Sequence, residues 1–105
     1  MRKPTIRRSS SGRLATIRRA IRRERKLVIA YRDKEGRATR RVVWPFALAF
    51  FDRAQVVAAW RQLRGGFRHF RIDRIGELKV LEERYPRRRA ALAKAWREAE
   101  GVPAP

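Results

Sequence analysis

The run Phe67-Arg68-His69-Phe70-Arg71-Ile72-Asp73-Arg74-Ile75 interleaves guanidinium groups with aromatic rings. Arginine suits phosphate because its planar fork donates paired hydrogen bonds and stays charged at physiological pH. A neighbouring ring offers a face for a base to stack on, worth roughly 1–3 kcal/mol per base. Arg68, Phe70, Arg71 and Arg74 are therefore candidate contacts to a nucleic acid or a nucleotide. As a strand, the run sends Arg68 and Phe70 to one face and His69 and Arg71 to the other, unless a bulge or the turn re-aims one of them. His69 joins the candidate set as a hydrogen-bonding or packing residue rather than a catalyst.

The whole chain shares this bias. It carries 29 Lys+Arg against 10 Asp+Glu, a formal net charge of +19 over 105 residues. Such a field selects polyanionic partners before any contact forms, and it repels itself in the compact state until phosphates or an acidic surface neutralise it.

Other chemistries find little support. The absence of cysteine excludes a disulfide framework, a thiol nucleophile and thiolate metal sites, and suits a reducing cytoplasm. With His69 the only histidine, a metal cage is not expected. No phosphate-cradling G-x-x-x-x-G-K-[ST] or G-x-G-x-x-G occurs, no serine sits in a nucleophile elbow, and Glu82-Glu83 lacks a histidine partner. The expectation is a binding protein with no catalytic residue, no metal and no cofactor. The basic start Met1-Arg2-Lys3-Pro4 leads into arginines and serines instead of an apolar core, so no secretory signal is expected, and no apolar run reaches spanning length.

One small domain, burying about 65% of its unfolded surface, must position these residues. Residues 1–12 read as a flexible basic arm and residues 102–105 as a tail. Leu14, Ile17 and Ile21 share one helical face, which predicts a helix over about 13–25 with Ser10 or Ser11 as N-cap. Leu27 to Arg32 then reads as a strand, Asp33-Lys34-Glu35-Gly36 as a turn, and Arg37 to Trp44 as the hairpin partner. Pro45 marks an edge, a bulge or a bend before Phe46 to Phe51. Gln55 to Arg61 fits a buried strand slightly better than a helix, and strands over Phe67–Ile72 and Glu77–Leu81 follow. A closing helix over about 86–100 takes Pro86 at N1, an apolar stripe of Leu92, Trp96 and Ala99, and Gly101 at C′.

The order of these motifs resembles the WYL domain of bacterial transcriptional regulators. The resemblance runs over about 20–100 and rests on Ala20 to Arg25, Ile29-Ala30-Tyr31 with Gly36, Arg41-Val42-Val43-Trp44-Pro45 with Leu48, Ala58-Ala59-Trp60, Arg64, Phe67 to Ile75, and Glu83 to Arg89. It implies a mainly β fold with flanking helices: an Sm-like, SH3-type small five-stranded β-barrel with an N-terminal and a C-terminal helix, here over 13–101. Where the family carries Trp-Tyr-Leu, this chain has Gln55-Val56-Val57. Family regulators place a winged helix-turn-helix before the domain, and the residues before Arg13 are too few for one, so the expectation is a stand-alone or detached sensor domain.

What the resemblance implies about function is a regulatory module binding a negatively charged ligand, with single-stranded DNA favoured and a nucleotide next. It carries roles onto Tyr31, Arg41, Phe70 and Arg71, and onto Arg68 and Arg74. Tyr31 and Phe70 then divide between base stacking and core packing. Arg87-Arg88-Arg89, in the first turn of the closing helix where the macrodipole disfavours cations, forms a secondary anion patch if the free N–H groups there hold a phosphate, and a solvated cluster otherwise. The partners expected are nucleic acid or nucleotide and a separate DNA-binding regulator, with no membrane and with a homo-oligomer left open. The alternative function is a nucleic-acid-coating or architectural protein acting by charge alone, since basic residues extend through the arm and both helices.

Overall fold

The computed structural model describes residues 5–101, with side chains described from residue 12 onward. The elements run α1 (Thr5–Arg23), β1 (Arg25–Arg32), β2 (Ala38–Phe51), β3 (Ala54–Arg61), β4 (Phe67–Arg71), a 3₁₀ turn (Ile72–Arg74), β5 (Ile75–Arg84) and α2 (Arg89–Glu100). The five strands form one antiparallel sheet in the order β4-β3-β2-β1-β5. The mainly β class with flanking helices is as expected, but the sheet is not closed. Strands β4 and β5 are edges joined by the 3₁₀ turn, so the barrel is approximate.

Each face of the sheet has its own core. On one, Ile17, Ala20 and Ile21 of α1 pack on Leu27, Ile29, Tyr31, Val43, Val57, Ala59, Phe70 and Ile75. We call this the inner face. On the outer face Leu92 and Trp96 of α2 pack with Phe46, Ala58 and Tyr85. The period of two along each strand divides the two sets, as with Leu27, Ile29 and Tyr31 on β1.

Several boundaries differ from the sequence-based expectation. Helix α1 begins at Thr5, inside the segment read as an arm, and Ser10 and Ser11 lie within it instead of capping it. Once the buried stripe has nucleated the helix, serines extend it at a few tenths of a kcal/mol each. Residues 1–4 and 102–105 lie outside the described residues.

Strand β2 runs unbroken through Pro45. Its first half pairs with β1 as far as Val43 and its second half pairs with β3, with a register shift between Pro45 and Ala47. A proline that cannot donate is thereby placed where β1 has already stopped pairing. Strand β5 extends over Ile75–Arg84, beyond the expected 77–81.

Helix α2 starts at Arg89, so Pro86 precedes it and does not occupy N1. The cause is Glu24, whose Oε2 accepts the Arg89 N–H at 2.8 Å and fixes the first turn there. Gly101 ends α2 at φ 71°, the left-handed cap expected of it.

Candidate anion-binding site

Strand parity assembles the site. Arg41 follows the inner-face parity of Val43 on β2, Arg61 that of Val57 and Ala59 on β3, and Arg68 that of Phe70 on β4. The pairings Ile29 with Arg41, Val43 with Arg61 and Ala59 with Arg68 bring the three to one end of that face. Arg64 joins them from the β3–β4 turn. Arg41, Arg61 and Arg64, together with Thr39, Gln62 and Leu63, line a cleft of about 530 Å³.

The turn is built to hold Arg61. Gly65 and Gly66 adopt φ 74° and 82°, and the Arg61 Nε donates to the Gly65 carbonyl at 3.1 Å. A Cβ on Gly66 would stand 3.0 Å from the Arg61 Nη2, so only glycine lets the guanidinium lie there undisturbed. Leu63, at 96% exposure, projects an apolar side chain beside these charges.

None of Arg41, Arg61, Arg64 and Arg68 makes a salt bridge among the described residues, whereas Arg40, Arg71 and Arg84 do. Burial, followed by the guanidinium groups of Arg68, Arg64 and Arg61, holds Arg41 below the ordinary arginine value. Like charges gathered without counterions raise the free energy of the empty site, and an oxyanion relieves it.

The sequence-derived candidates do not all converge. Arg41 lines the cleft and Arg68 stands beside Arg41 without lining it. Tyr31 and Phe70 lie beneath them, but in the core, at 3% and 0% exposure. Their rings meet edge to face at 5.0 Å, and the Arg68 guanidinium lies 5.9 Å from one centroid and 5.2 Å from the other. Of the two alternatives for these rings, base stacking and core packing, burial favours packing: neighbours and Arg68 leave no open face. The Tyr31 hydroxyl instead accepts the Arg71 N–H at 3.0 Å, tying β1 to β4.

His69 faces the other way, as alternation requires. It stacks on Phe51 at 4.7 Å, and its Nε2 accepts the Trp96 Nε1–H at 2.9 Å, so it anchors α2 and does not reach the cleft. Arg71 closes on Asp73 through Nε at 3.0 Å and Nη2 at 2.7 Å, which raises its pKa and lowers that of Asp73. Arg74 lines a separate depression with Tyr31, Asp33 and Asp73, away from Arg61 and Arg64.

The secondary patch is already filled from within. Glu24, 8% exposed and at φ 56°, accepts the Arg84 Nη2 at 2.7 Å and the Arg89 N–H, with the Arg88 Nε at 3.7 Å. This carboxylate stands where a phosphate at the α2 N-terminus would, and the backbone donor of Arg89, then the Arg84 bond, hold its pKa below the usual value. Arg87 lies over the Trp60 ring at 5.8 Å. Sequence reasoning missed Glu24, Arg61 and Arg64 as organising residues. Arg61 was open to detection, standing two residues beyond Ala59 on the same strand face, whereas nothing local marks Glu24.

The fold is a small β-domain whose cleft gathers guanidinium groups without counterions. The WYL domain family model matches residues 12–80, and this chain belongs to that family. Among solved structures it is similar to proteasome accessory factor B/C (PafBC) of Arthrobacter aurescens, with 28% identity and a TM-score of 0.67. The likeness covers 74% of this chain and 12% of that one, so this chain corresponds to a small part of its neighbour. No curated protein matches. Membership gives the chain the family's general character, a regulatory module.

Proposed function

We propose that the chain is a ligand-sensing module of bacterial transcription regulation, whose cleft binds single-stranded DNA or a nucleotide and relays occupancy to a DNA-binding regulator. The observation that supports this reading is that Arg41, Arg61 and Arg64 line one cleft, with Arg68 beside Arg41 and no carboxylate paired to any of the four. At about 530 Å³ the cleft has the size of a site for a nucleotide or two. A flexible single strand can follow such a recess, which a stiff duplex can do only at the cost of deforming. Preference for a single strand then comes from access and phosphate contact, with exposed Leu63 against sugar or base, and not from stacking on Tyr31 or Phe70. The chemistry is binding, not turnover, and its setting is the cytoplasm.

The second reading, a coating protein acting by charge, draws on Arg18, Arg19, Arg22 and Arg23, which stand exposed along α1. Titration of nuclease-treated protein with fluorescent single-stranded DNA at two salt concentrations, against a duplex of matched charge as competitor, separates the two. A single-strand preference that persists at the higher salt is expected. Equal binding of both forms that vanishes with salt would reject the sensor reading in favour of coating.

A further inference from the structure

Guanidinium groups converge a second time, at the other end of β3. Arg13 of α1, Arg53 of the β2–β3 turn and Arg71 at the end of β4 line a separate pocket of about 280 Å³, walled also by Gln55, Ile72 and Asp73. Gln55 and Arg61 stand about 20 Å apart along the strand at roughly 3.3 Å per residue, so this pocket is distinct from the cleft.

Each arginine is placed by a different device. Arg13 donates from Nη1 to the Ile75 carbonyl at 2.6 Å, which fixes its head, while its Nε is buried with no hydrogen-bond partner. A buried donor without an acceptor is costly and calls for an explanation. Arg53 has φ 62° beside Asp52 at 49°, two left-handed residues at the tip of a tight hairpin. Glycine is the ordinary occupant of such a position, and here an arginine bears the strain and lines the pocket. Arg71 commits Nε and Nη2 to Asp73, which orients the guanidinium and leaves Nη1 to donate. Two carboxylates act nearby, Asp73 on the wall and Asp52 from the turn, against three guanidinium groups. The pocket keeps a positive surplus.

We propose that this pocket is a second oxyanion site, holding one phosphate group through Arg13, Arg53 and Arg71. The group belongs either to free inorganic phosphate or to the terminus of a nucleotide strand. The site does not depend on what occupies the cleft.

The test follows arginine side-chain Nε–H signals by NMR on the full chain during titration with inorganic phosphate, then with 5′-phosphorylated and unphosphorylated dinucleotides. The Arg13 signal should move and saturate with phosphate, and among the dinucleotides only with the phosphorylated one if the source is a strand terminus. Arg53→Gly should weaken phosphate affinity at that signal at least fivefold while keeping or raising the Tm, because glycine suits the left-handed turn. Loss of binding without loss of stability is a result no structural role of Arg53 produces. Arg61→Gln should leave the Arg13 titration unchanged. An Arg13 signal indifferent to phosphate, or an Arg53→Gly variant with unaltered affinity, overturns the proposal. The Arg41 and Arg61 signals report separately on the cleft.

Discussion

Replacing Arg41 and Arg61 together with glutamine removes two of the four guanidinium groups at the cleft while keeping side-chain bulk. Each phosphate neutralised on a single strand contributes about −0.7 to the slope of log K against log salt. The loss of two contacts should therefore make the slope shallower by about 1.4, whatever the total for the wild-type chain. Four contacts alone predict a fall of about 50-fold in affinity between 50 and 200 mM salt, and two contacts a fall of about sevenfold. Fluorescence anisotropy with a short labelled single strand measures both slopes. Arg18→Gln with Arg22→Gln on the outer side of α1 is the control, because it removes the same charge from the same molecule away from the cleft. Equal slope changes for the two double variants would show that net charge governs binding, and parallel slopes for wild type and the cleft variant would show that Arg41 and Arg61 touch no phosphate. Either result refutes the site.

Glu24→Gln keeps an amide oxygen for the Arg89 N–H but removes the charge that strengthens that bond and faces Arg84 and Arg88, and should cost about 1–2 kcal/mol, most of it from the shielded backbone bond and little from exposed Arg84. Because the folded-state pKa of Glu24 lies below its ordinary 4.5, that stabilisation is complete above about pH 4.5 and fades as pH falls through the lower folded value. Denaturant midpoints of wild type and variant should accordingly converge in acid and separate toward neutrality, and a constant gap across that window would contradict the assignment. Phe70→Ala opens a cavity under Arg68 and should cost about 3–5 kcal/mol in urea unfolding, whereas the milder Phe70→Leu should retain oligonucleotide affinity if the ring is core and not a stacking platform. Trp96→Phe deprives His69 of its donor and should lower stability by about 1–2 kcal/mol while leaving binding within twofold, checked by paired thermal melts and titrations.

Alternation along Phe67–Arg71 was legible beforehand because a period of two is a local property of a strand. It separated Arg68 and Phe70 from His69 without any tertiary information. Which of the two faces would be the core was not local. That depended on α1 covering the side of Leu27, Ile29 and Tyr31, and it decided that Phe70 and Tyr31 pack where stacking was also considered. The hairpin at Asp33–Gly36 followed from turn chemistry, and the Arg37 N–H bond to the Asp33 Oδ1 at 2.9 Å closes it. Pro45 was legible as an edge, a bulge or a bend, and the register shift between Pro45 and Ala47 is that irregularity; that β2 also changes partners there was not a local property. The use of Arg88 and Arg89 was hidden for a related reason, since the carboxylate that meets them comes from the far end of the domain.

Glu24 meets Arg84 and Arg89 across 60 and 65 residues of chain. These are among the last contacts that synthesis can complete: α1, β1 and the hairpins emerge first, and the carboxylate waits in water until α2 has been made. The family match closes at residue 80, yet the partners that secure Glu24 lie beyond it. A chain cut at that boundary would retain every residue of the arginine cleft and lose the fastening that joins first helix to last. The segment that carries the cleft is thus shorter than the segment that carries the domain's full stability, and part of the difference rests on one side chain at the end of α1.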